Sequence, residues 1–212
     1  MNGRRAALPA ALLACLGSVA AVPAPRAPAT LAIDPKTSSL TFTIHRPGET
    51  IDGAAHAFTG EVVFDPADLP VGGSVVLRVA ASSLETGNRM RDRKMRNSHL
   101  EVDRFPEIVF RSTSIEVGSV RDRTADPPAP GTAAPGEPQR QAIVEGVLSL
   151  HGVDRPLMLS TTIRYDNGTL TAEGSVALTY SDYAIPIPRF LWLVMEDDIK
   201  VRFRFVAGAA AR

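Results

Sequence analysis

Apolar and polar side chains alternate with period two in segment after segment of this chain, from Leu31 onward. That pattern marks strands with one face toward a core and the other toward solvent. In "SLTFTIH" Leu40, Phe42 and Ile44 alternate with Thr41, Thr43 and His45. "EVVFD" sets Val62 and Phe64 against Glu61, Val63 and Asp65, and "SVVLRVAAS" sets Val75, Leu77 and Val79 against Val76, Arg78 and Ala80. Similar runs follow at 107–117, 142–150, 157–165, 170–180 and 199–207, which gives about eight strands at hairpin-like spacing. Asn167-Gly168 is the strongest hairpin signal in the chain. Sustained helical periodicity is almost absent. The architecture is therefore all-β, either a sandwich or an up-and-down barrel. Thr161, Ala172 and Gly174 interrupt the apolar face with small or polar groups, which suits a barrel with room inside.

One stretch breaks the pattern. "TGNRMRDRKMRNSHLEVDRFPEIVF", residues 86–110, puts Arg89, Arg91, Arg93, Lys94 and Arg96 between the third and fourth strands. Its helix formers support two or three short turns, with Asn88 as cap and Asp92 in the first turns. Met90, Met95 and Leu100 are spaced five apart, too irregular for an amphipathic stripe. The segment fits a solvated crossover helix at one barrel end, or a patch that meets an anionic membrane surface. Nucleic acid is excluded: Lys plus Arg and Asp plus Glu are 23 each, and no aromatic is interleaved with the charges.

The ends of the chain carry no fold. Residues 1–20 read as a signal peptide: Arg4 and Arg5 precede an apolar, acid-free run, and Ser18-Val19-Ala20 has the small-x-small form of a cleavage site. The single cysteine, Cys15, lies inside it, so a processed chain has no thiol chemistry. Leu12-Leu13-Ala14-Cys15 loosely resembles a lipobox, but the apolar run continues past it, which favours plain export to the periplasm or outside over lipidation. Residues 21–30 form a Pro/Ala-rich tether, 31–207 the folded domain and 208–212 a tail. Within the domain, 118–141 is a Pro/Gly/Ala-rich loop insertion.

No catalytic constellation emerges. His45, His56, His99 and His151 stand apart, without metal-ligand spacing, and neither a G-x-S-x-G elbow nor a phosphate-cradling glycine loop is present. The expected chemistry is therefore binding, with no metal and no cofactor.

Three motifs in order then resemble one family. "IDPKTSSLTFTIH" is similar to the opening strand, the 82–116 segment to the T-x-N, Arg-Asp and F-P-x-I-x-F run, and "VEGVLSLHGVDRPLMLS" to the following hairpin of the YceI-like family, exported and lipocalin-like polyisoprenoid-binding proteins. The resemblance implies an eight-stranded antiparallel lipocalin-like barrel with a short helix between strands 3 and 4. It implies an isoprenoid-type or quinone-like amphiphile held in the interior. Candidate wall residues are Phe42, Ile44, Phe64, Leu77, Val79, Phe110, Leu148, Leu159, Ile163, Leu178 and Phe203. Arg89, Arg91 and Asp92 are the candidate polar groups at the mouth. The oligomeric state is left open, a homodimer included. The rival from another class is a filled-core β-domain acting as an envelope structural or interaction module.

Overall fold

In the computed structural model, residues 28–65, 73–118, 139–190 and 193–209 are described. The signal segment with Cys15, most of the tether and the proline-rich stretch 119–138 lie outside the described residues. The strands are β1 (Ala29–Ile33), β2 (Ser39–Arg46), β3 (Glu49–Ala55), β4 (Phe58–Phe64), β5 (Gly73–Ala80) and β6 (Leu84–Glu85). Helix α1 (Arg89–Lys94) precedes β7 (Glu107–Val117), β8 (Arg140–Leu150), β9 (Val153–Asp166) and β10 (Thr169–Thr179). A small hairpin, β11 (Arg189–Phe190) and β12 (Leu193–Val194), leads to β13 (Asp198–Ala209).

The main sheet closes on itself because β1 pairs with β4 on one side and with β13 on the other, all antiparallel. Eleven segments make eight walls. β1 and β2 follow each other along β13, with Ile33 opposite Ala207 and Ser39 opposite Arg204. β3 and β4 are likewise one strand interrupted at His56-Ala57, and β6 extends the line of β5 by pairing with β3. Closure removes the free sheet edges that would otherwise pair with another chain. The helix sits between the third and fourth walls, as the sequence predicts.

Two tight turns set the register of the longest strands. Asn167 and Gly168 have φ of 47° and 80°, the left-handed pair that a two-residue hairpin turn needs. His151 and Gly152 repeat it between β8 and β9, with φ of 52° and 74°.

Three boundaries differ from the sequence expectation. Ala29 and Thr30 belong to β1, opposite Phe64 and Val63, so the strand takes in the last tether residues. Arg140 and Gln141 pair with Ile163 and Thr162, so β8 begins inside the proline-rich insertion. Gly208 and Ala209 pair with Ala32 and Leu31, so β13 runs into the tail. In each case cross-strand pairing supplies hydrogen bonds that local composition does not reveal.

The α1 segment follows its expected cap. Asn88 accepts from the backbone N–H groups of Met90 and Arg91, both at 3.1 Å. Beyond Lys94 the chain widens into a five-residue turn, Met95–His99, where Leu100 N–H donates to the Met95 carbonyl five residues back. The five-residue spacing of Met90, Met95 and Leu100 is not a failed amphipathic stripe, because the last two bracket that wider turn.

Candidate functional site

The inward faces of the strands enclose a cavity of about 850 Å³. A barrel of eight tilted strands has an interior that side chains can just fill, so side-chain size decides whether it is hollow. Two features keep it open. Across the sheet from Phe42 and Phe203 stand Gly53 and Gly174, and the rings lie where a Cβ would be: one at Gly174 would stand 2.7 Å from Phe203 Cζ. The rings thus flatten against the wall instead of crossing the lumen. Elsewhere the wall carries Ala142, Thr161 and Ala172.

All eleven wall candidates line this cavity. Phe42 and Ile44 come from β2, Phe64 from β4, Leu77 and Val79 from β5, and Phe110 from β7. Leu148 (β8), Leu159 and Ile163 (β9), Leu178 (β10) and Phe203 (β13) complete the circuit. What the sequence missed is one end of the cavity, where Met90, Met95, His99 and Leu100 meet Ile185, Pro188 and Met195. Met90 lies in α1, Met95 and His99 in the wider turn and the rest in irregular segments, and no sustained periodicity marks them.

The charged lining residues Arg46, Arg91 and Lys94 gather at that end with Thr86, Asn88 and His99, while Thr41 (β2) and Thr161 (β9) lie along the wall. Met90 lines the cavity yet is 85% exposed, which marks this end as the opening. Of the three mouth candidates, only Arg91 reaches the cavity. Its Nε–H donates to Thr86 Oγ1 at 2.7 Å, one Nη donates to the Thr86 carbonyl at 3.0 Å, and the other stands 3.7 Å from Glu49. Asp92 is a correction: it is buried and accepts from Thr86 N–H at 2.9 Å and Thr86 Oγ1 at 2.5 Å, so it fastens the helix to the strand end. Arg89 is a second correction: it is exposed and outside the lining. Its position at the start of α1 turns it away from the lumen.

His99 is the polar residue set deepest at this end. Its Nδ1 lies 2.8 Å from the Pro186 carbonyl, which only accepts, so Nδ1 carries the proton and Nε2 of the neutral ring is an acceptor. Burial lowers its pKa from 6.5, the Lys94 charge lowers it further, and the Pro186 bond opposes both. His99 Nε2 and Arg46 Nε are both buried without a hydrogen-bond partner among the described residues. The described lining holds no Asp or Glu. The His–carboxylate pairs, His151–Glu101 at 3.0 Å and His56–Glu85 at 3.7 Å, lie outside it. Among the described residues no cluster of three or more His, Cys, Asp or Glu is placed to hold a metal.

A closed antiparallel barrel, hollow, apolar within and polar at one rim, is a lipocalin-like barrel. The model of the YceI-like domain matches residues 31–207, and the chain belongs to that family. Among solved structures it is similar to BcnA of Burkholderia cenocepacia, with 19% identity and TM-score 0.64 over 82% of this chain and 98% of that one. A polyisoprenoid-binding domain from Saccharophagus degradans implicated in plant cell wall breakdown aligns at 17% identity and TM-score 0.63, over 84% and 98%. The YceI protein of Campylobacter jejuni aligns at 14% and 0.57, over 77% and 87%. At such identities the likeness is one of fold. No curated protein sequence matches the chain.

Proposed function

We propose that this protein holds an isoprenoid-type lipid, or a similar long amphiphile with a quinone-like or hydroxylated end, inside the barrel and releases it chemically unchanged. The observation that carries this is the open, largely apolar interior of about 850 Å³ with its charged groups confined to one end. Each CH2-like unit of a tail moved from water into such an interior gains about 0.8 kcal/mol, so affinity requires no special residue. Arg46, Arg91 and His99 are the groups on hand for the polar end, and a head group would satisfy the unpartnered Arg46 Nε and His99 Nε2. The polyisoprenoid-binding name of the Saccharophagus domain agrees with this ligand class. Residues 1–20 and the absence of cysteine after Cys15 support an exported protein.

Native mass spectrometry of protein purified from its own cells tests the reading. Co-purifying lipid, or one-to-one binding of added geranylgeraniol after delipidation, is expected. Failure of any long-chain prenol, quinone or fatty amphiphile to bind the delipidated protein would refute it.

A further inference from the structure

We propose that the protein docks its cavity opening onto anionic bilayers through the first turn of α1, so that ligand passes between barrel and membrane by contact. This rests on the lipid-carrying function above and adds the surface that such a function needs. An exposed methionine alone means little. Met158, 60% exposed, projects from the outer wall on β9 and does not line the cavity. Met90 differs because it is both the most exposed large apolar side chain described and part of the cavity lining. An apolar path therefore continues from the lumen to the outermost point of the helix.

The cations beside it are arranged to match. At roughly 100° per residue, Arg89, Met90 and Arg93 fall within about one quarter of the helix circumference. Arg89 and Arg93 are exposed and pair with no acidic group among the described residues. The deeper cations of the same end are engaged: Arg46 and Arg91 with Glu49, and Arg96 with Glu85. Pairing is thus used to build the rim and withheld at its tip. The positive charge is local to the helix: residues 88–97 carry five cations (89, 91, 93, 94, 96) and one acid, Asp92, on a chain of formal net charge zero. An unpaired pair of arginines around a methionine suits an interface whose surface is anionic and whose depth is hydrocarbon.

The test uses ligand-free full-length protein and vesicles of phosphatidylcholine alone or with one third phosphatidylglycerol, at low ionic strength. Co-sedimentation with the anionic vesicles only is expected. Each arginine near an anionic surface is worth about fivefold in affinity, so R89E/R93E should weaken it by at least about 25-fold. M90D should also weaken it, while R202E on the outer wall of β13 should leave it unchanged. All are exposed positions, and circular dichroism checks that each variant is folded. Binding to neither vesicle, equal binding to both, or unchanged binding of R89E/R93E would overturn the proposal. A second readout follows release of bound geranylgeraniol into vesicles. The rate should rise with vesicle concentration for the native protein and flatten for R89E/R93E; a native rate independent of vesicle concentration would also overturn contact transfer. Docking without any prenol binding would instead remove the lipid-carrying function and leave the surface in place.

Discussion

Ala172→Phe separates a hollow barrel from a packed one by the sign of its effect. Ala172 sits in the middle of β10, opposite Ile163 on β9 and Phe205 on β13, and lines the cavity while remaining half-buried. In a filled interior the ring would force its neighbours off their rotamers at a cost of about 1–3 kcal/mol. In an open one it buries roughly 100 Å² of additional apolar surface, worth about 2.5 kcal/mol at most. Ordering the side chain returns about 1 kcal/mol of that. The net expectation is a stabilisation of about 1 kcal/mol, or 2–4 °C in Tm for a chain of about this size. The ring also occupies space that a lipid tail would use. Displacing about three CH2-like units costs about 2.4 kcal/mol and lowers prenol affinity roughly 50-fold. Urea denaturation of ligand-free protein measures the first effect, and native mass spectrometry with geranylgeraniol the second. A destabilisation of 1 kcal/mol or more would show that the interior is packed at this point. A stable variant with unchanged affinity would show that the tail does not reach it.

Other substitutions test the devices around the cavity. Gly174→Val places a Cβ 2.7 Å from Phe203 Cζ and 2.8 Å from the Ser160 carbonyl; it should cost about 1–3 kcal/mol and push the ring into the lumen, measured by denaturation and by lost prenol binding. Burial holds the His99 pKa below its ordinary 6.5, so the unfolded chain binds the proton more readily: this contribution is complete above about pH 6.5 and is lost as pH falls below it. Denaturation midpoints from pH 7.5 to 5 should show that decline, and His99→Phe should flatten it; an equal decline in the variant would remove His99 as its cause. Val117 lies opposite Ala142 and Gly118 N–H donates to Gln141 O, so the two strands already meet at the base of the insertion. Replacing 119–139 by a short Asn-Gly turn should keep the fold and raise stability by about 1–2 kcal/mol, since each halving of loop length returns about 0.6 kcal/mol; a fall in Tm would show that the segment packs on the barrel.

The sequence by itself determined the strands and the face each turns inward, because a period of two is a local property of each segment. Phe42, Leu77, Leu159 and Phe203 were legible as wall positions for that reason, and Asn167-Gly168 fixed one hairpin through its own dihedral preferences. Asn88 was legible as a cap because capping involves only the next three residues. Only the tertiary structure decided that the sheet closes, since closure depends on Leu31 meeting both Val62 and Ala209, far apart in the chain. It alone decided that the interior is hollow, which turns on rings laid over glycines of neighbouring strands. The roles of Arg89 and Asp92 were equally hidden: neighbours in a cationic run look alike until the helix is placed. One then faces solvent at the rim, and the other is buried against Thr86. The histidine at the cavity end was invisible as well, because its partner Pro186 approaches from a segment 87 residues away.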